Sequence, residues 1–499
     1  MISSEATPFA QTGGMAEVLA ALPTALTKIG VEVDVVMPMY RSVIAGAAAG
    51  RFEIENTNKL VSLVLNDKKV SAEIWRLRKQ NADQPTPAQY FLRCDEYFDR
   101  DGLYGSGETN FQDNAERFVF LSRAALEMAV VLGHQYEVIH SHNWQAALAP
   151  VYLRTLYMVE PQLSRTASVI TIHNLGYQGI FWHLDMPLVG VGWEFFTPKY
   201  MEFHGNLNFL KSGIVFSDMV NTVSSGYREE MLTPEYGFGL EGVLQEKGND
   251  LTGILNGADY NVWNPEIDPY IAQKYNLNDL SGKAHCKADL QRVSGLPEAS
   301  DVPLVVMVSR FTSQKGIDLL ENAIPSLMEK DIQIVVLGDG ELRYKDNLAT
   351  LAKKYPQKMA AFLSYDYELV HKIFAGADIV LVPSRYEPCG LNQMYAMRYG
   401  AIPIVRATGG LKDTVVPFNS ENGLGTGFKF IDPTGAALSL AVFRAIDIYC
   451  SQKDDWKRLV VRSMSQNFSW EISAREYVAL YQKAIAKRMR MTNPGLRQV

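Results

Sequence analysis

Leu304-Val305-Val306-Met307-Val308 runs straight into Ser309-Arg310-Phe311-Thr312-Ser313-Gln314-Lys315-Gly316, and a helical pattern follows. Five apolar residues rich in β-branched side chains mark a buried strand. The loop after it carries two fixed cations, Arg310 and Lys315, at the strand's carboxyl end. Ligands of open α/β sheets bind at that end. Arginine offers a planar fork to two phosphate oxygens and lysine a compact point charge, and together they suit charge developing on a leaving diphosphate. An exposed pair on a solvated loop is the plainer reading of the same residues.

The same alternation of strand and helix extends outward in both directions. Strands are expected at 31–37, 136–140, 169–172 and 219–223 in the first half, and at 333–337, 379–382 and 402–405 in the second, besides 304–308. Between them lie helices such as 114–132, where Phe118, Leu121, Ala125, Met128 and Leu132 recur at helical spacing and form a buried stripe. This predicts an α/β protein of two doubly wound parallel sheets. A length of 499 residues exceeds one ordinary core and agrees with two domains. A turn-rich stretch over 252–272 separates them, which places one domain over 1–255 and a second from 256 onward.

A net charge of −7 argues against a partner held through many phosphates, so no nucleic acid is expected. Cys94, Cys286, Cys389 and Cys450 show neither metal-ligand nor disulfide spacing and read as reduced thiols. No apolar run approaches the roughly 18 residues that span a bilayer, so no membrane association is expected. The cytoplasm is the expected location, or an organelle lumen such as a plastid after removal of a transit peptide.

Four further segments bear chemistry. Gly13-Gly14 opens a helical pattern whose free N–H groups suit a phosphate, although a glycine pair before a helix is more often just a tight turn. Only Met1–Glu5 precede that loop, so the first strand of this sheet is expected to be largely missing, or the sequence to begin downstream of the true start. Glu387, in Ser384-Arg385-Tyr386-Glu387-Pro388-Cys389-Gly390-Leu391, is expected on a first helical turn, to accept sugar hydroxyls or simply to favour the helix dipole. Thr408-Gly409-Gly410 follows another strand and is a second place for backbone N–H groups to cradle phosphate. His173 stands directly after an apolar strand, while His140 and His142 lack the third ligand a metal site requires.

Taken together these segments are similar to the starch and glycogen synthase family of glycosyltransferases, which has the two-domain GT-B fold. The likeness runs through Thr12-Gly13-Gly14, Thr171 to Gly179, Gly253-Ile254-Leu255-Asn256-Gly257, Trp263-Asn264-Pro265, Arg310 to Gly316, Pro383 to Met397 and Ala407-Thr408-Gly409-Gly410. The resemblance implies transfer of glucose, with retention, from ADP-glucose to the non-reducing end of an α-1,4-glucan, without a metal or other cofactor. It implies two Rossmann-like domains facing a cleft, the second binding the nucleotide sugar over 256–470, and a C-terminal helix over 471–499 that crosses back to the first domain.

By the same resemblance Arg310 and Lys315 neutralise the diphosphate, Glu387 contacts the donor sugar, His173 touches the transferred glucose and Asn256 holds one of its hydroxyls. Tyr365 stacks on adenine, and Thr408, Gly409 and Gly410 meet phosphate. Gln11, Gly13, Gly14, Asn143, Cys389, Gly390 and Leu391 complete the implied binding set. Two of these depart from the family pattern: Gln11 stands where the family has lysine, and Asn143 where it usually has aspartate. The alternatives are a weakened glucan-binding or regulatory homologue, or a transferase with another acceptor. Retention of Arg310, Lys315, Glu387 and His173 favours activity.

Overall fold

Apolar runs become parallel strands where helices cover both faces of a sheet, because only then are all their side chains buried. The second half of the chain shows this in the order Met359–Phe362, Gln333–Leu337, Leu304–Val308, Ile379–Val382, Ile402–Arg406, Phe428–Phe430, all parallel. In chain order this is 3-2-1-4-5-6, so the winding reverses between Leu304–Val308 and Ile379–Val382. Every residue of Leu304–Val308, Gln333–Leu337 and Ile379–Val382 is buried, which is why these strands, Gln333 aside, read as apolar runs. The covering helix Ile317–Leu327 buries Ile317, Leu320, Ala323, Ile324 and Leu327 along one stripe.

The structure is a computed structural model that describes residues 1–78, 86–107 and 109–492. It divides into two units, the first holding residues 1–223, 228–257 and the chain from Trp470, the second residues 224–227 and 258–469.

The first unit is built on a mixed sheet. Val138–His142, Ala167–Ile172, Met219–Thr222 and Leu251–Gly253 run parallel on one side. On the other side Asp34–Pro38 pairs in parallel with Ala88–Arg93, which continues antiparallel through Lys68–Leu77 to Ile54–Leu65. Met1–Ser3 joins the two sides through a single bridged residue, for Ile2 is paired in parallel with both Val36 and Ser141. Its N–H donates to the His140 carbonyl at 2.8 Å, and His142 N–H donates back to the Ile2 carbonyl at 3.1 Å. Helix Asn114–Leu132 packs on Ile54–Leu65, and helix Trp470–Thr492 packs on Gly14–Lys28 and Ala167–Ile172. No helix among the described residues is long and apolar enough to cross a membrane.

Candidate functional site

In the second unit both loops that leave the winding reversal carry expected site residues. Arg385 N–H donates to the Gln314 carbonyl at 2.8 Å, and Asn392 Nδ2 donates to the Val308 carbonyl at 2.6 Å, so the loops are stitched to each other. Gly316 has φ +73°, and a Cβ there would lie 2.3 Å from the Pro383 carbonyl oxygen, so only glycine permits this approach. Lys315 Nζ is thereby brought 2.6 Å from Glu387 Oε2, and Ser384 Oγ donates to the same oxygen at 2.8 Å. Arg310 is exposed on the same loop as Lys315. Glu387 lies in the loop, five residues ahead of helix Asn392–Arg398, so its expected place on a first helical turn is corrected. Its position is set instead by the cation and the hydroxyl.

Thr408-Gly409-Gly410 packs on that carboxylate's own backbone. Gly410 N–H donates to the Glu387 carbonyl at 3.1 Å. A Cβ on Gly410 would lie 2.2 Å from the Cys389 carbonyl oxygen, which gives this glycine a packing reason. Thr408 is buried ahead of the short helix Gly409–Thr414, and Cys389 is buried too. Gly390 takes φ +73°, and Leu391 leads into helix Asn392–Arg398. Tyr365 is exposed in the loop after the edge strand Met359–Phe362, where Asp366 accepts from Leu369 N–H to start the next helix.

The first unit holds the remainder. Gly13 and Gly14 open helix Gly14–Lys28, and a Cβ at either would meet nothing within 4 Å, so no protein contact demands glycine there. The loop is held from beneath by Glu5, a buried carboxylate that accepts from Thr12 N–H, from Thr12 Oγ1 at 2.7 Å and from the Tyr104 hydroxyl. Gln11 is exposed, accepting from Thr7 Oγ1 at 3.1 Å and donating to Glu17 Oε1 at 3.4 Å. Restoring a cation with Gln11→Lys is expected to lower the donor KM by roughly threefold to tenfold, the scale of one charge-assisted contact. Glu17 is a competing partner and keeps the gain small. Equal donor KM values for the two proteins would show that position 11 does not meet the donor.

Asn143 sits at φ +56°, accepts from His173 N–H at 2.8 Å and donates to Met15 Sδ at 3.2 Å. The acceptor role is one an aspartate oxygen also fills, so this departure from the family pattern keeps the tie to His173. His173 is half-buried, and burial pulls its imidazole pKa down to about 3. Asn256 is buried, and its Oδ1 has no hydrogen-bond partner among the described residues. An orphaned buried acceptor of this kind suits a ligand hydroxyl. His140 is spent on structure, its ring nitrogens 2.8 Å from the Tyr481 hydroxyl and 2.7 Å from Thr171 Oγ1. Among the described residues no group of three or more His, Cys, Asp or Glu is placed to hold a metal ion.

Sequence reasoning missed Glu5, Tyr104 and Ser384. Ser384 lies three residues from Glu387 and was within reach of a local reading, whereas Glu5 and Tyr104 are 99 residues apart and meet only through the fold.

The comparisons with known proteins agree with this architecture. Residues 1–246 match the starch synthase catalytic domain family, and residues 292–453 match glycosyl transferases group 1. Glycogen synthase 1 of Geobacter metallireducens is 45% identical over 489 residues, covering 98% of this chain and 96% of the relative. Glycogen synthase of Thermotoga maritima is 44% identical over 97% of this chain and 98% of its own. The catalytic domain of starch synthase IV from Arabidopsis thaliana, solved bound to ADP and acarbose, superposes with a TM-score of 0.87 at 31% identity, covering 97% of this chain and 98% of that one.

Two sheets of Rossmann type, with cations and a carboxylate at the winding reversal of the second, define a GT-B glycosyltransferase. The chain belongs to the starch and glycogen synthase family of glucosyltransferases.

Proposed function

We propose that the chain transfers glucose, with retention of anomeric configuration, from ADP-glucose to the non-reducing end of an α-1,4-glucan. The observation that carries this reading is the Lys315–Glu387 pair at the winding reversal, with Arg310 on the same loop. As the bond from the anomeric carbon to the diphosphate breaks, negative charge builds on the leaving oxygen. Preorganised cations stabilise that charge without reorganising at the moment of reaction. Lys315 and Arg310 are assigned this task, and Thr408, Gly409 and Gly410 offer further phosphate contacts. Glu387 is assigned to the donor sugar, where a carboxylate accepts hydroxyls and balances positive charge on an oxocarbenium-like centre. Tyr365 is assigned to the adenine face. From the first unit, His173 and Asn256 are assigned hydrogen bonds to sugar hydroxyls.

The relatives named glycogen synthase and the solved starch synthase holding ADP support this donor and acceptor. Incubation with radiolabelled ADP-glucose or UDP-glucose and glycogen, followed by α-1,4-specific digestion, tests it. Label released by the digestion, incorporated faster from ADP-glucose, is expected, and chelation with EDTA is expected to leave the rate unchanged. Absence of incorporation from either donor would sink the reading.

A further inference from the structure

His142 has no assigned role, yet its ring is in direct contact with that of His173. It is fully buried in the first unit, on the strand Val138–His142. Its ring stacks on His173 with centroids 5.3 Å apart and planes 27° apart, and its Nδ1 lies 3.0 Å from His173 Nε2. Its other nitrogen, Nε2, is buried with no hydrogen-bond partner among the described residues. Burial, with the neighbouring histidines, drives the His142 pKa far below the ordinary value, and His173 is lowered as well, so both rings are neutral near pH 7.

Two neutral imidazoles that share one hydrogen bond place a single proton between the facing nitrogens. If His173 donated it, His142 would carry its own proton on Nε2, a buried N–H with nothing to receive it. If His142 donates from Nδ1, the orphan at Nε2 is only a lone pair. Orphaned buried N–H groups are the rarer and costlier defect. We propose that His142 is a positioning residue that donates from Nδ1 and thereby fixes His173 as its Nδ1–H tautomer. His173 then has its Nε2 lone pair occupied, cannot serve as a general base through it, and offers the substrate a donor and not an acceptor. Its backbone N–H, tied to Asn143 Oδ1, holds the ring's origin in place while His142 sets the proton. The inference rests on the assignment of His173 to the sugar for its kinetic consequence, but the tautomer itself does not.

The test uses the full chain labelled with 15N-histidine, with the His173 signals among the 8 histidines assigned by their loss in His173→Gln. The expected spectrum has His173 protonated at Nδ1 and bare at Nε2. His142→Phe keeps a stacked ring but removes the donor, and the His173 proton is expected to move toward Nε2. His142→Asn returns an N–H near the place of Nδ1 and is expected to restore the original tautomer. In the transfer assay kcat/KM is expected to fall about tenfold in the phenylalanine variant and to recover most of that loss in the asparagine variant, the scale of one hydrogen bond. A wild-type His173 protonated at Nε2, or a tautomer unchanged in His142→Phe, overturns the proposal. If that variant fails to fold, the wild-type spectrum alone decides. Turnover unaffected in His173→Gln with the tautomer as expected would defeat the assignment of His173 to the sugar and leave this inference standing.

Discussion

Lys315→Ala is expected to lower kcat by roughly 10²–10³, the scale of losing one preorganised contact to transition-state charge. Two effects add. The cation assigned to the diphosphate is gone, and the buried Glu387 carboxylate, whose Oε2 lies 2.6 Å from Lys315 Nζ, loses its salt-bridge partner while Ser384 Oγ still donates to it. An unscreened carboxylate beside a departing anion raises the barrier further. Lys315→Arg keeps the charge but replaces a point donor with a planar fork, so it is expected to recover only part of the loss. A double variant, Lys315→Ala with Glu387→Gln, removes the stranded charge, and its loss is expected to be smaller than the product of the two single losses. Arg310→Ala is expected to reduce kcat on the same scale with an unchanged melting temperature, because Arg310 is exposed. Steady-state kinetics at saturating donor, with thermal melts as the control for folding, decide the matter. Near-wild-type turnover in both Lys315→Ala and Arg310→Ala would remove the leaving-group assignment.

The legibility of these two loops follows from how their strands are buried. Leu304–Val308, Ile379–Val382 and all of Gln333–Leu337 after its polar first residue are covered on both faces, so hydrophobicity marks them out. The expected strand 136–140 is observed at Val138–His142, displaced because its last residues are His140, Ser141 and His142, polar groups that a hydrophobic reading ends on rather than includes. The hairpin of Ile54–Leu65 and Lys68–Leu77 went unread, since only alternate residues such as Val61, Leu63 and Leu65 are buried and a bulge interrupts the register between Asn56 and Lys59. Charges at strand ends were visible as charges, but their partners were not. Lys315 and Glu387 are 72 residues apart, and nothing local tells lysine from an exposed cation until Gly316 lets its loop close on Pro383. His142 is the clearest case, since its meaning lies in a contact with a ring 31 residues away.

Asp268→Asn is expected to destabilise the second unit by roughly 3 kcal/mol, the scale for disabling one member of a buried charged network. The Asp268 side chain is 0% exposed, accepts from His371 Nδ1 at 2.7 Å and the Tyr399 hydroxyl through Oδ2, and from Tyr270 N–H at 2.9 Å through Oδ1. His371 in turn stacks on Trp263 at 4.2 Å, and Tyr395 stacks on Trp263 at 4.3 Å. One carboxylate therefore pins the turn-rich segment around Trp263 to helices Tyr367–Gly376 and Asn392–Arg398. Asparagine keeps one acceptor oxygen and turns an NH₂ toward groups that are themselves donors. For a unit of this size the change corresponds to a fall of roughly 6–12 °C in Tm. The pH dependence has a definite sign. Burial alone would raise the Asp268 pKa, but the hydrogen bonds from His371, Tyr399 and the Tyr270 backbone outweigh it and hold it below the ordinary value. A carboxyl whose pKa is depressed by folding stabilises fully above its unfolded pKa of about 3.9, and that contribution is lost as pH falls through the folded value. The gap in Tm between wild type and Asp268→Asn is thus expected to be constant near neutrality and to narrow below about pH 4. Calorimetry across that range is the measurement, and equal Tm values at pH 7 would show that the segment is held by its aromatic stack instead.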